Sequence, residues 1–116
     1  MQMFVYLLDL QKDEKKIDEY LTAHKNVEPA ISAHALECGV KWLHIVRFAE
    51  HLVEIIITED DFDAAHMNEV MASDPKCVAW NESMKVYQKR LPEASDEDWW
   101  VEAKQVVFDL HSQENT

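Results

Sequence analysis

Tyr20 and His24 stand four residues apart in a stretch, Lys12 to His24, where Ile17, Tyr20, Leu21 and His24 recur at helical spacing on a charged background. Side chains four apart on a helix lie one turn above the other on the same face. Because Ile17 and Leu21 share that face, the hydroxyl and the imidazole point inward. Histidine ordinarily titrates near neutrality, which suits it to give and take protons, and a neighbouring tyrosine hydroxyl can orient a substrate. The pair therefore has the parts for acid–base chemistry. A core histidine bonded to a backbone carbonyl satisfies the same spacing.

Other chemistry-bearing residues are less suggestive. His34 and Cys38 have an i, i+4 spacing that can hold a metal, but two ligands do not make a site. His44, His51 and His66 are each explained by ordinary hydrogen bonding. Glu59, Asp60, Asp61 and Asp63 lack the glycine and ligand spacing of a calcium loop and read better as a helix start. Trp80 follows Val78 on a helical stretch, where its ring can pave a sugar site. Trp99 and Trp100 follow an acidic loop, an exposed place for two large apolar rings, and a partner subunit is the simplest cover. The single glycine, Gly39, rules out glycine-rich phosphate loops, and no serine sits in a nucleophile elbow. No metal or cofactor is expected.

The elements that must position these groups follow from periodicity. Met3 to Leu10 is an apolar run read as a strand, with Phe4, Tyr6 and Leu8 on one face and Val5 and Leu7 on the other. A long helical region, kinked between Asn26 and Pro29, runs from Lys12 to Cys38, and Gly39 is placed to cap it. Trp42 to Phe48 and Leu52 to Thr58 form a hairpin. Ala64 to Ala72 is helical. A last helix starts at Asp74-Pro75 and keeps Val78, Met84, Tyr87 and Leu91 on its inner face. Val106 to Leu110 is a final strand. The order β-α-β-β-α-β predicts an α+β, ferredoxin-like domain with a four-stranded antiparallel sheet, spanning residues 1–116 as one unit. Its helices can cover only one face of the sheet, so the other apolar face calls for a second copy in a homodimer.

Composition narrows the function. The 116 residues carry 23 acids against 11 bases, a net charge of −12. Such a field disfavours nucleic acid and anionic membrane, while a neutral sugar is indifferent to it. Nothing at the N-terminus reads as a secretory leader, and two cysteines in helical patterns suit reduced thiols in the cytoplasm.

The order of short elements along the chain resembles the L-rhamnose mutarotase family: Asp18-Glu19-Tyr20 with His24, then Pro29 and Gly39, Asp60-Asp61-Phe62, Asp74-Pro75-Lys76, Trp80 with Met84, Leu91-Pro92, Trp100 and Val107-Phe108. The resemblance implies a dimeric α+β barrel that interconverts the anomers of L-rhamnose or a related deoxy-sugar without cofactor or metal. It implies that His24 is the catalytic proton donor, that Tyr20 is a catalytic and substrate-contacting residue, and that Trp80 lies against the sugar. Two further substrate positions differ from the family pattern. Leu43 stands where a tyrosine is expected, and Asn81 where some members have a second tryptophan. The usual Trp-Pro-Glu after the histidine is Glu28-Pro29-Ala30. The alternative is a non-catalytic or differently catalytic member of the dimeric ferredoxin-like group that binds a small ligand in the same cavity.

Overall fold

A computed structural model describes residues 1–111. Strand β1 (Gln2–Leu10) leads into helices α1 (Glu14–Ala23) and α2 (Pro29–Glu37), then strands β2 (Val40–Phe48) and β3 (His51–Thr58). Helices α3 (Ala64–Ala72) and α4 (Pro75–Met84) follow, and after them come two short strands, β4 (Gln88–Lys89) and β5 (Val101–Glu102). The sheet order is β2-β3-β1-β4, with β5 also on β1 and every neighbouring pair antiparallel. This is the expected ferredoxin-like arrangement, its fourth position shared by β4 and β5.

Each helix begins at an acidic side chain. Asp13 accepts from the Lys16 amide, Glu28 from Ala30 ahead of Pro29 at the first helical position, Asp63 from Ala65 and His66, and Asp74 from Lys76. A carboxylate there satisfies free amides and opposes the helix dipole. Gly39 follows α2 with φ of 101° and its carbonyl accepts from the Glu59 amide at 2.8 Å.

Three expectations need correction. The first helical region is not one kinked helix: a 3-10 turn, His24–Asn26, separates α1 from α2. The last helix does not reach Leu91 but ends at Met84, because the free edge of β1 takes Gln88 opposite Leu10 and Lys89 opposite Asp9. Val106 to Leu110 is not a strand. The remaining edge of β1 pairs Leu7 with Val101 and Tyr6 with Glu102, which leaves Val106, Val107, Phe108 and Leu110 exposed and without a strand neighbour among the described residues.

The helix-side core is two clusters. One joins Leu10, Tyr20, Leu52 and Met84 with Trp80 and Trp100; the other joins Ala35, Val40 and Ile56 with Phe4 and Phe62. Burying each large apolar chain contributes roughly 1.5–3 kcal/mol. The opposite sheet face stays open and apolar: Met3, Trp42, Val46 and Phe48 are all more than half exposed. Among the described residues no helix is long and apolar enough to cross a membrane.

Candidate active site

Between the two clusters lies a cavity of about 560 Å³, inside the roughly 300–1,000 Å³ range usual for small-molecule sites. Tyr20 and His24 come from the end of α1, Trp80 and Asn81 from α4, and Leu43 and Ile45 from β2. All five residues singled out in the sequence thus line one cavity, although they derive from three separate elements.

The turn after α1 fixes the imidazole. His24 Nδ1 lies 2.8 Å from the backbone carbonyl oxygen of Tyr20, so Nδ1 carries the hydrogen that it donates there. The other nitrogen, Nε2, has no protein partner among the described residues and is left to the cavity. One ring nitrogen is thus bound as in an ordinary core histidine, while the other is free for chemistry. Two rings hold the imidazole: Tyr20 at 4.3 Å between centroids, tilted by 43°, and Trp80 at 5.3 Å, edge-on at 75°. Tyr20 itself is only 3% exposed. Burial raises its hydroxyl pKa above the ordinary value, a hydrogen bond with Gln88 opposes the rise, and the charge of Glu54 adds to it.

Glu54 and Gln88 are two of the polar residues that sequence reasoning missed. Both line the cavity. Glu54 interrupts the apolar run of β3, and pairing places it opposite Tyr6 on β1 and Ile45 on β2, on the helix-facing side with Leu52 and Ile56. Withdrawal from water pushes its carboxyl up to about 7. A lone acid in an apolar run was the available signal. Gln88 gave none, because its burial depends on the chain leaving α4 to pair with β1.

A family model for L-rhamnose mutarotase matches residues 3–110 of the chain. The chain belongs to the L-rhamnose mutarotase family. Membership makes it a carbohydrate isomerase that exchanges sugar anomers. It is 32% identical, over 91% of its length and 86% of the relative's, to an L-fucose mutarotase of Xanthomonas campestris pathovar campestris. Its fold is similar to the crystal structure of an L-rhamnose mutarotase from Formosa agariphila, with a TM-score of 0.67 and 15% identity over 94% of this chain and 99% of that one. The tetracenomycin F2 cyclase of Streptomyces glaucescens shares the fold at a TM-score of 0.57 and 19% identity, covering 94% and 96% of the two chains.

Where this mutarotase family usually has Trp-Pro-Glu, Glu28 here is committed to its helix: its carboxylate accepts from the Ala30 amide at 3.2 Å. Trp100 needs no partner subunit as cover, since it packs on the Leu10–Met84 cluster and lines the cavity, and Trp99 lies beneath the cations of Lys85 and Arg90. Away from the cavity, His34, Asp74 and Cys77 bring ligand atoms within 4.8 Å of one another. Asp74 there has two structural duties. Its carboxylate caps α4 and meets His34 Nε2 at 2.7 Å, which ties α2 to α4.

Proposed function

We propose that the cavity holds the pyranose ring of L-rhamnose, L-fucose or a closely related deoxy-sugar, with His24 moving the proton that opens and recloses it. Mutarotation breaks the bond between the anomeric carbon and the ring oxygen. The ring oxygen gains a proton, the anomeric hydroxyl loses one, and reclosure on the other face reverses both transfers. The reaction runs slowly unaided, so a positioned acid–base group beside a held ring supplies useful acceleration. The observation that carries this reading is the divided imidazole: Nδ1 is anchored to the Tyr20 carbonyl and Nε2 is left to a cavity paved by Trp80. Tyr20 positions the ring and Trp80 packs on its face.

The substrate class rests on the family and on the named activities of its relatives. Leu43 and Asn81 in the lining argue for a permissive site, since a cavity with fewer directed donors rejects analogues less strongly. A second copy packed on the open sheet face, where Met3, Trp42, Val46 and Phe48 lie exposed, completes the assembly as a homodimer.

Anomer exchange followed by NMR across L-rhamnose, L-fucose and related sugars tests the activity. Saturation-transfer rates well above the buffer background are expected for at least one of the two. Background rates for all would overturn the reading.

A further inference from the structure

We propose that Glu54 is a second proton-transfer residue of this site, exchanging a proton with the anomeric hydroxyl while His24 serves the ring oxygen. The proposal rests on the mutarotase reading and deepens it.

Three observations lead there. Glu54 lines the cavity from the sheet, its floor, while His24 lines it from the turn after α1. A sugar between them would meet one titratable group from each side. Secondly, the Glu54 carboxylate makes no hydrogen bond or ion pair within the protein among the described residues. A carboxylate lifted from water without a partner destabilises the fold, and structural economy would have placed another aliphatic residue there, as at its strand neighbours Leu52 and Ile56. Groups held at such cost mark functional sites. Thirdly, the surroundings keep the acid poised. Tyr6 faces it from β1, with Glu102 of β5 paired behind Tyr6, and Tyr20 faces it from α1. His24 and Lys41 are the other charged or chargeable lining residues, and Lys41 Nζ lies 3.6 Å from Glu59. Among the described residues no fixed cation therefore holds Glu54 permanently ionised. Its carboxyl, at about 7, both accepts and returns protons near neutrality.

The chemistry balances without another reactant. Protonated His24 gives its Nε2 proton to the ring oxygen as the bond from that oxygen to the anomeric carbon breaks, and the bonding pair stays on the oxygen. Ionised Glu54 takes the anomeric hydroxyl proton, whose bonding pair becomes the carbonyl of the open aldehyde. Rotation about the adjacent carbon–carbon bond presents the other face. The hydroxyl then attacks, its proton returns to His24, and the carbonyl oxygen takes back the proton from Glu54.

Glu54→Gln keeps shape and removes the proton exchange. With L-rhamnose and L-fucose as probes, kcat should fall about 10²-fold with little change in KM, and the melting temperature should not fall. The part of the kcat/KM pH profile that follows ionisation of Glu54, whose carboxyl lies at about 7, should vanish in the variant. Glu54→Ala should be partly restored by added formate, which a merely structural role would not allow. Wild-type kcat and an unaltered pH profile in Glu54→Gln would overturn the proposal and leave the mutarotase reading standing. A wild-type protein that exchanges neither sugar would remove both.

Discussion

Tyr6 and Glu54 are directly paired across β1 and β3, both turned to the helix side of the sheet. Burial is the main reason the Tyr6 hydroxyl also titrates above its ordinary value, with Glu102 and then Glu54 adding to it. The pair makes stability depend on pH in a definite direction. The folded chain holds the Glu54 proton more tightly than the unfolded chain does, with a pKa of about 7 against 4.5. The resulting stability is fully present below the unfolded value and is lost as pH rises through the folded one. Glu54→Gln should therefore melt like wild type near pH 4 and increasingly above it toward pH 8, by on the order of 3 kcal/mol at most. Thermal or urea unfolding at the two pH values checks this, and equal stability differences at both would contradict it.

His24→Asn should retain fold and assembly, because the side chain stays polar and near the same bulk. Anomer exchange should fall by roughly 10²-fold or more, the usual worth of a positioned acid–base group. Tyr20→Phe should cost less, since it removes one hydroxyl and leaves the imidazole anchored to a backbone carbonyl. Exchange rates and melting curves on the same samples separate catalysis from folding. An asparagine variant with the wild-type rate would refute the role.

Sedimentation at micromolar concentration should give about twice the 13.6 kDa chain mass. Val46→Lys places a charge on the open face, on the edge strand β2, at a residue already 51% exposed, so the isolated fold should tolerate it while association weakens. A wild-type monomer, or a variant that dimerises as well as wild type, would rule out that face as the interface.

Gly39→Ala should destabilise by about 1–2 kcal/mol. The added Cβ finds ordinary contact with Glu59 at 3.5 Å, so the strain comes from the backbone, whose φ of 101° side chains rarely adopt. Gly39 lies outside the cavity lining, so exchange per folded molecule should be unchanged. Equal melting temperatures would argue that the turn relaxes.

Activity should survive exhaustive chelation and dialysis, because the chemistry derived for His24 and Glu54 uses only protons already bound. Loss with chelator and recovery with a divalent ion would direct attention to His34, Asp74 and Cys77.

The local rules written in the sequence determined most of the frame. Acidic residues ahead of Pro29 and Pro75, the spacing of Tyr20 and His24, and Gly39 before the hairpin are short-range signals, since caps, helix faces and turns depend on neighbours within a few residues. The β-α-β-β-α-β order followed from them, as did the family resemblance. Only the tertiary structure decided the chain end and the floor of the cavity. Val106 to Leu110 has a strand's composition, but a strand needs a free edge, and β4 and β5 occupy the one on β1. Glu54 was hidden for a related reason. In Leu52-Val53-Glu54-Ile55-Ile56-Ile57 both faces of the strand are apolar, so alternation could not say which way the carboxylate points. Its register against Tyr6 and Ile45 decides that, because a shift of one residue turns every side chain to the other face.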